Sequence, residues 1–111
     1  DLKDSMKQFV SDVESGVHEE RKWPNTCYGM SKVGIIAMTK IFARTYPDIC
    51  ITSVDPGFCA TDQNNNQGYI LAERGAVTPF LLATVPDEDA SNLSGRHFYE
   101  EREIPWSYGQ L

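Results

Sequence analysis

The sequence predicts an α/β fold on a parallel sheet that this chain leaves incomplete. Three observations predict it. Apolar residues recur at helical spacing in several stretches. Residues 49–54 (Ile-Cys-Ile-Thr-Ser-Val) are β-branched or apolar at nearly every position, the pattern of a strand covered on both faces. The order helix, helix, strand, helix, strand supplies only two strands, and such a sheet would keep open edges. The chain is therefore expected to need further sequence before it, or a partner chain, to complete its sheet.

The elements follow in order. Met6, Phe9, Val10, Val13 and Val17 share a helical face, which predicts an amphipathic helix over about residues 2–15 with Gly16 as its stop. His18 to Pro24 is charged and ends in Trp-Pro, a loop. From about Thr26 to Tyr46, Val33, Ile36, Ile41 and Phe42, with Ile35 and Met38 beside them, predict a long helix that is apolar over much of its circumference and mostly buried. Gly29 and Gly34 inside it point to close backbone packing. The strand at 49–54 then ends sharply at Asp55-Pro56-Gly57. Residues 60–68 are polar and expected to be mobile. A helix over about Ala72 to Val85 should turn Ala76, Phe80, Leu81 and Ala83 to the core, with Pro79 kinking it or marking its true start. Pro86 to Asn92 reads as an acidic, solvated loop. Ser94 to Tyr99 reads as the last strand, followed by a tail carrying Trp106 and Tyr108.

Composition narrows the possible roles. The 111 residues are enough for one small domain, and 41% apolar with 23% charged residues is ordinary for a soluble protein. No stretch of 18 apolar residues occurs and the first ten residues have no apolar core, so neither a bilayer span nor a signal peptide is predicted. A net charge of −6 with scattered basic residues argues against nucleic acid or an anionic membrane as a partner. Cys27, Cys50 and Cys59 are an odd, widely spaced set, read as reduced thiols in a cytoplasmic setting. His18 and His97 have no ligand-spaced companions, so no metal site is predicted.

Two features carry chemistry. Tyr28 and Lys32 form Tyr-Gly-Met-Ser-Lys, and a spacing of four puts both side chains on one helix face, about 5–6 Å apart at Cβ. A free phenol keeps its proton up to about pH 10, too high for easy exchange near neutrality. An ammonium beside a phenol stabilises the phenolate, so the pair can hand a proton to a carbonyl oxygen or take one back. Alone, the pattern is weak, and an ordinary exposed helix with a packed tyrosine and a solvated lysine is the better reading of it. The second feature adds to it. The strand ends in Val54-Asp55-Pro56-Gly57-Phe58-Cys59-Ala60-Thr61, and ligands on open parallel sheets bind beyond the carboxyl ends of strands. Gly57 lets backbone approach a ligand closely, and Thr61 adds a hydroxyl.

Taken together, Tyr28-x-x-x-Lys32 and Pro56-Gly57-x-x-x-Thr61 resemble the two signatures of the short-chain dehydrogenase/reductase family, with a closer likeness to its monomeric carbonyl-reductase branch. Phe9-Val10 through Gly16-Val17-His18 to Trp23-Pro24 resembles the end of that branch's insertion before the tyrosine. Glu73-Arg74-Gly75-Ala76 with Gly95-Arg96-His97-Phe98 resembles the last helix and strand. The resemblance implies the C-terminal portion of a single Rossmann-like, doubly wound domain, with residues 1–24 closing the inserted segment. It implies an NADPH-dependent oxidoreductase acting on a small carbonyl substrate. Tyr28 would donate the proton, and Lys32 would hold the nicotinamide ribose and assist the phenol. Pro56, Gly57, Phe58 and Cys59 would line the nicotinamide, and Thr61 would reach its carboxamide or the pyrophosphate. Phe58 and the loop after Thr61 would border the substrate. The family often has Val where Cys59 stands.

The resemblance also marks what this chain does not carry. No glycine-rich phosphate loop occurs in it. Ser15, 13 residues before Tyr28, has the spacing of the family's catalytic serine in its short members. In the carbonyl-reductase likeness, however, that position belongs to the inserted helix, so Ser15 is read as solvent-facing. The alternative to an enzyme is a truncated or non-catalytic relative that serves as a folding or interaction module.

Overall fold

The structure is a computed structural model that describes residues 1–106; the expectation for Tyr108 lies outside the described residues. The chain forms two compact units, one over Asp1–Met38 and one beginning at Thr39.

The first unit opens with α1 (Leu2–Glu14). The Asp1 carboxylate accepts the Asp4 N–H at 3.0 Å, satisfying one of the amides that a helix start leaves unpaired. The helix stops at Gly16, whose backbone is left-handed (φ 71°). Gly16 N–H donates to Val13 O at 3.0 Å and Val17 N–H to Asp12 O at 2.9 Å, the paired bonds of a glycine-terminated helix end. α2 (Cys27–Thr45) begins in this unit and continues past its boundary. Thr26 caps it, its hydroxyl accepting Gly29 N–H at 3.1 Å. Gly34 is buried, and the Met6 sulfur of α1 lies 3.3 Å from where a Cβ on residue 34 would stand. Phe9 is the buried apolar residue of this unit, its ring edge-on to Trp23 at 5.5 Å between centroids.

The second unit holds a three-stranded sheet in the order β1 (Ser53–Asp55), β2 (His97–Tyr99), β3 (Arg102–Ile104). β1 and β2 run parallel, with Val54 beside Phe98, and β2 and β3 run antiparallel. Between β1 and β2 the chain passes through a 3-10 turn (Asp62–Asn64), α3 (Ala72–Gly75), α4 (Val77–Ala83) and α5 (Asp87–Leu93). Phe98, on the central strand, is the buried apolar residue of this unit.

Several expectations are corrected here. The strand is confined to residues 53–55 and is half-buried, because β1 is the edge of its sheet and is paired on one side only. Residues 51 and 53 are still held, by Ile51 N–H to Ser94 Oγ, Gly95 N–H to Ile51 O and Ser53 N–H to Arg96 O. α2 is largely exposed rather than buried: Val33, Ile35, Met38, Ile41 and Phe42 all count among the exposed large apolar residues. The single helix expected over 72–85 is two, parted after Gly75, and Pro79 sits in the first turn of the second, where its missing N–H costs no helical bond. Ala76, Phe80, Leu81 and Ala83 are exposed, and Gly75 and Thr78 are the buried positions instead. The acidic segment is helical: Asp87, Glu88 and Asp89 occupy the first turn of α5, where negative charge is favourable. The expected tail contains β3, joined to β2 by Glu100 and Glu101, both left-handed (φ 47° and 61°).

Candidate active site

Tyr28 and Lys32 stand in the first turns of α2, and the helix brings them together as their spacing requires. Lys32 Nζ lies 5.3 Å from the centre of the Tyr28 ring, an attractive placement of an ammonium over an aromatic face. Tyr28 is 75% exposed, so its hydroxyl is open to an incoming group. Ser31, between them, turns its hydroxyl inward to Tyr28 O at 2.7 Å and leaves the face clear.

The chain leading to Tyr28 is tied down residue by residue. Asp12 is 3% exposed and accepts three side-chain donors: Gln8 Nε2 at 2.8 Å, Arg21 Nη1 at 2.9 Å and Trp23 Nε1 at 2.8 Å. Burial pushes this carboxyl up, but the Trp23, Gln8 and Arg21 donors outweigh it, and the group sits below the ordinary value of 3.8. His18 Nε2 and Asn25 Oδ1 are 3.1 Å apart, and Asn25 Nδ2 donates to Glu19 Oε1 at 3.1 Å. Sequence reading placed Asp12 in a helix and Trp23 in the loop after it, and gave neither a further role. They lie 11 residues apart, a separation that follows no helix or strand repeat and gave no sign that they meet.

The turn at Pro56–Thr61 is built in the second unit. Asp55 Oδ1 accepts Gly57 N–H at 2.8 Å, closing a tight turn in which Gly57 takes φ 82°, a conformation that side-chain-bearing residues avoid. Residues 58–60 then pair with residue 70, through Ile70 N–H to Phe58 O at 3.2 Å and Ala60 N–H to Ile70 O at 2.8 Å. This closes the polar segment 61–69 into a loop pinned at its base. Asn64 pins it again, accepting Thr61 N–H at 3.2 Å and donating to Cys59 O at 2.8 Å. The segment expected to be mobile is thus cross-bonded. The pairing also sets the rings of Phe58 and Tyr69 edge to face at 5.8 Å, both exposed.

Cys59 is a free thiol, as are Cys27 and Cys50. Its Sγ donates to Pro56 O at 3.3 Å and fills the space a side chain on Gly75 would need. Cys59 N–H is itself turned to Gly57 O, and Cys59 O to Asn64, so the peptide groups of residue 59 are engaged within the loop. Behind the turn, Arg74 and Glu101 form a two-fold pair at 2.7 and 3.1 Å, and Glu101 N–H donates to Thr78 Oγ1. The Arg74 hydrogen bonds hold the Glu101 carboxyl below its ordinary 4.5. The Glu100 charge, followed by burial, raises the Tyr99 phenol, which stays protonated near neutrality. A cavity of about 50 Å³ lies among Asp55, Pro56, Ile70, Arg74, Gly75 and Thr78.

Among the described residues no three His, Cys, Asp or Glu side chains gather as metal ligands, and no helix is long and apolar enough to cross a membrane.

The second unit sets helices beside a small mixed sheet, an α/β arrangement; the tyrosine–lysine face belongs to the first unit and the glycine turn to the second. Comparison with known proteins says which kind of α/β protein this is. The chain is 39% identical over 102 residues to carbonyl reductase (NADPH) 3 of Rattus norvegicus, a match covering 86% of this chain and 36% of the relative. It is 35% identical over 112 residues to carbonyl reductase (NADPH) 3 of Homo sapiens, covering 96% and 40%. It is 36% identical over 101 residues to the (+)-neomenthol dehydrogenase of Capsicum annuum, covering 89% and 31%. No family model matches. The chain is a relative of the carbonyl reductases of the short-chain dehydrogenase/reductase family, and it spans 31% to 40% of the length of these relatives.

Proposed function

We propose that this chain carries the proton-transfer half of an NADPH-dependent carbonyl reductase. The observation that carries the reading is the shared, open helix face on which Lys32 Nζ stands 5.3 Å from the Tyr28 ring, in a chain related to reductases named for NADPH. Bound NADPH would supply the hydride to the carbonyl carbon. Tyr28 gives its hydroxyl proton to the carbonyl oxygen, and in the reverse direction takes it back. Lys32 stabilises the phenolate left behind and holds a ribose diol by charge-assisted hydrogen bonds. Pro56, Gly57, Phe58, Cys59 and Thr61 form the nicotinamide wall. Gly57 is left-handed and Ile70 fills the space a side chain there would take, so the glycine lets the turn close against Ile70. Because the Cys59 peptide groups are engaged within the loop, polar contacts to the cofactor would come from other atoms of the turn.

Two further observations support a need for more protein. The apolar residues of α2 stand exposed and β1 has an unpaired edge, a combination that soluble proteins cover. The cofactor cradle and catalytic serine would come from that additional part, and the 111-residue chain alone would serve as a folding or interaction module.

The test is Tyr28→Phe in full-length protein. Carbonyl reduction should fall by about 100-fold or more while NADPH still binds. Undiminished turnover would remove Tyr28 from the reaction. Titration of the 111-residue chain with NADPH addresses the second reading, which predicts no tight binding.

A further inference from the structure

We propose that Asp12 is a positioning residue for Tyr28, fixing through the Trp23 indole the segment that ends on the cap of α2. The inference rests on the reading of Tyr28 as proton donor.

A buried carboxylate is costly unless its oxygens are all engaged, and one placed among apolar groups only to add stability is a poor use of a core position. Asp12 meets that condition with donors from α1 and from the loop after it. Gln8 comes from its own helix, but Arg21 and Trp23 come from the connection to α2. Trp23 lies in that connection, five residues before Tyr28. Its indole is held from two directions, by Asp12 Oδ2 at one edge and by the Phe9 ring at 5.5 Å.

From Trp23 onward, successive residues are restrained up to the helix cap. Trp23 N–H donates to His18 O at 2.9 Å. Pro24 has its φ fixed by its own ring. Asn25 is held by His18 and Glu19, and Thr26 caps the helix through Gly29 N–H. Tyr28 follows in the first turn. The consequence is a run of restraints from a buried charge to the helix turn that carries the reacting phenol. Proton donors need such restraint: a displacement of about 1 Å can cost a factor of about 100 in rate.

The experiment uses the full-length reductase with Trp23→Phe, Asp12→Asn and the pair together. Trp23→Phe keeps an aromatic ring against Phe9 and removes only the N–H, so it is the variant that should fold if Asp12→Asn does not. For both, kcat should fall by about 10- to 100-fold, with NADPH dissociation within about two-fold of wild type. The double variant should be no slower than the slower single one, because both changes break one linkage. A residue of purely structural importance would lower the thermal midpoint and leave kcat of the folded enzyme unchanged, and that result overturns the inference. Tyr28→Phe is run alongside. Wild-type turnover by Tyr28→Phe overturns the proton-donor reading itself. An inactive Tyr28→Phe beside fully active Trp23→Phe and Asp12→Asn overturns only the role of Asp12.

Discussion

The sulfur of Cys59 occupies the space where a side chain on residue 75 would begin, so at Gly75 α3 meets the Pro56–Thr61 turn through its backbone. Pro56 O lies 3.3 Å from the same point and closes the other side. A methyl group at position 75 must therefore push the turn away or move the helix. Gly75→Ala should destabilise the full-length protein by roughly 1–3 kcal/mol, the usual cost of overpacking a filled site. It should also weaken NADPH binding, since the displaced turn is the proposed nicotinamide wall. Adding Cys59→Ala removes the sulfur and should restore most of both losses. Chemical denaturation of the four proteins of this cycle checks the point, and equal instability of Gly75→Ala with and without Cys59→Ala would show that the sulfur is not what it meets.

Lys32 is placed to do two things from one position, and they separate experimentally. Its ammonium faces the Tyr28 ring, and as a charged donor it suits a sugar diol. Lys32→Met keeps the aliphatic stem but removes the charge. It should raise KM for NADPH and lower kcat, the latter on the order of 100-fold. Lys32→Arg keeps the charge in a broader, planar group and should retain more kcat than Lys32→Met. Steady-state kinetics with a fixed carbonyl substrate would show this, and identical kcat values for wild type and Lys32→Met would refute the phenolate role.

The hairpin between β2 and β3 turns on Glu100 and Glu101, both at positive φ. Two consecutive left-handed residues in a two-residue connection match the twist of the strands, but the conformation suits Asn and Gly and costs most other residues about 1 kcal/mol each. Glu101 is retained by its two bonds to Arg74 and its N–H to Thr78. Glu100 has no such tie to a helix, so Glu100→Asn should raise the thermal midpoint, while Glu101→Gln should lower it by weakening the Arg74 pair. A fall in midpoint for Glu100→Asn would mean that Glu100 makes a contribution outweighing the strain.

The legible parts of this fold were those written in local spacing. α1 and α2 fall within a residue or so of the bounds that periodicity gives, because Gly16 and Pro47 punctuate them and the 3.6 repeat needs no distant partner. The Tyr28–Lys32 face was legible for the same reason. Burial was not. Val33, Ile35 and Phe42 have the pattern of core residues, yet what covers a face is set by other segments, and this chain spans 31% to 40% of the length of those relatives. The acidic residues 87–89 read as a loop by polarity alone, although the first turn of a helix is where acids stabilise most. β3 was hidden because Glu-Glu gives none of the Asn-Gly signal of its turn. The contacts of Asp12 with Trp23, and of Cys59 with Gly75, join positions whose spacing follows no repeat. Only the folded chain reveals them.

Asp12 gives the acid side of stability a specific carrier. Burial alone would make its carboxyl hold a proton more tightly, but the Trp23, Gln8 and Arg21 donors reverse this and hold it below 3.8. The folded group thus releases its proton more readily than the unfolded one, and between the two values the unfolded chain binds more protons. The stabilisation is complete above 3.8 and disappears as pH falls through the lower, folded value. Asp12→Asn cannot titrate there. Wild type should therefore exceed Asp12→Asn in thermal midpoint by several degrees near neutrality, and the gap should narrow once pH drops below 3.8. Thermal scans of both proteins from about pH 6 to about pH 3 measure it. A gap that stays constant across that range would mean the Asp12 contribution comes from its shape and hydrogen bonds rather than its charge.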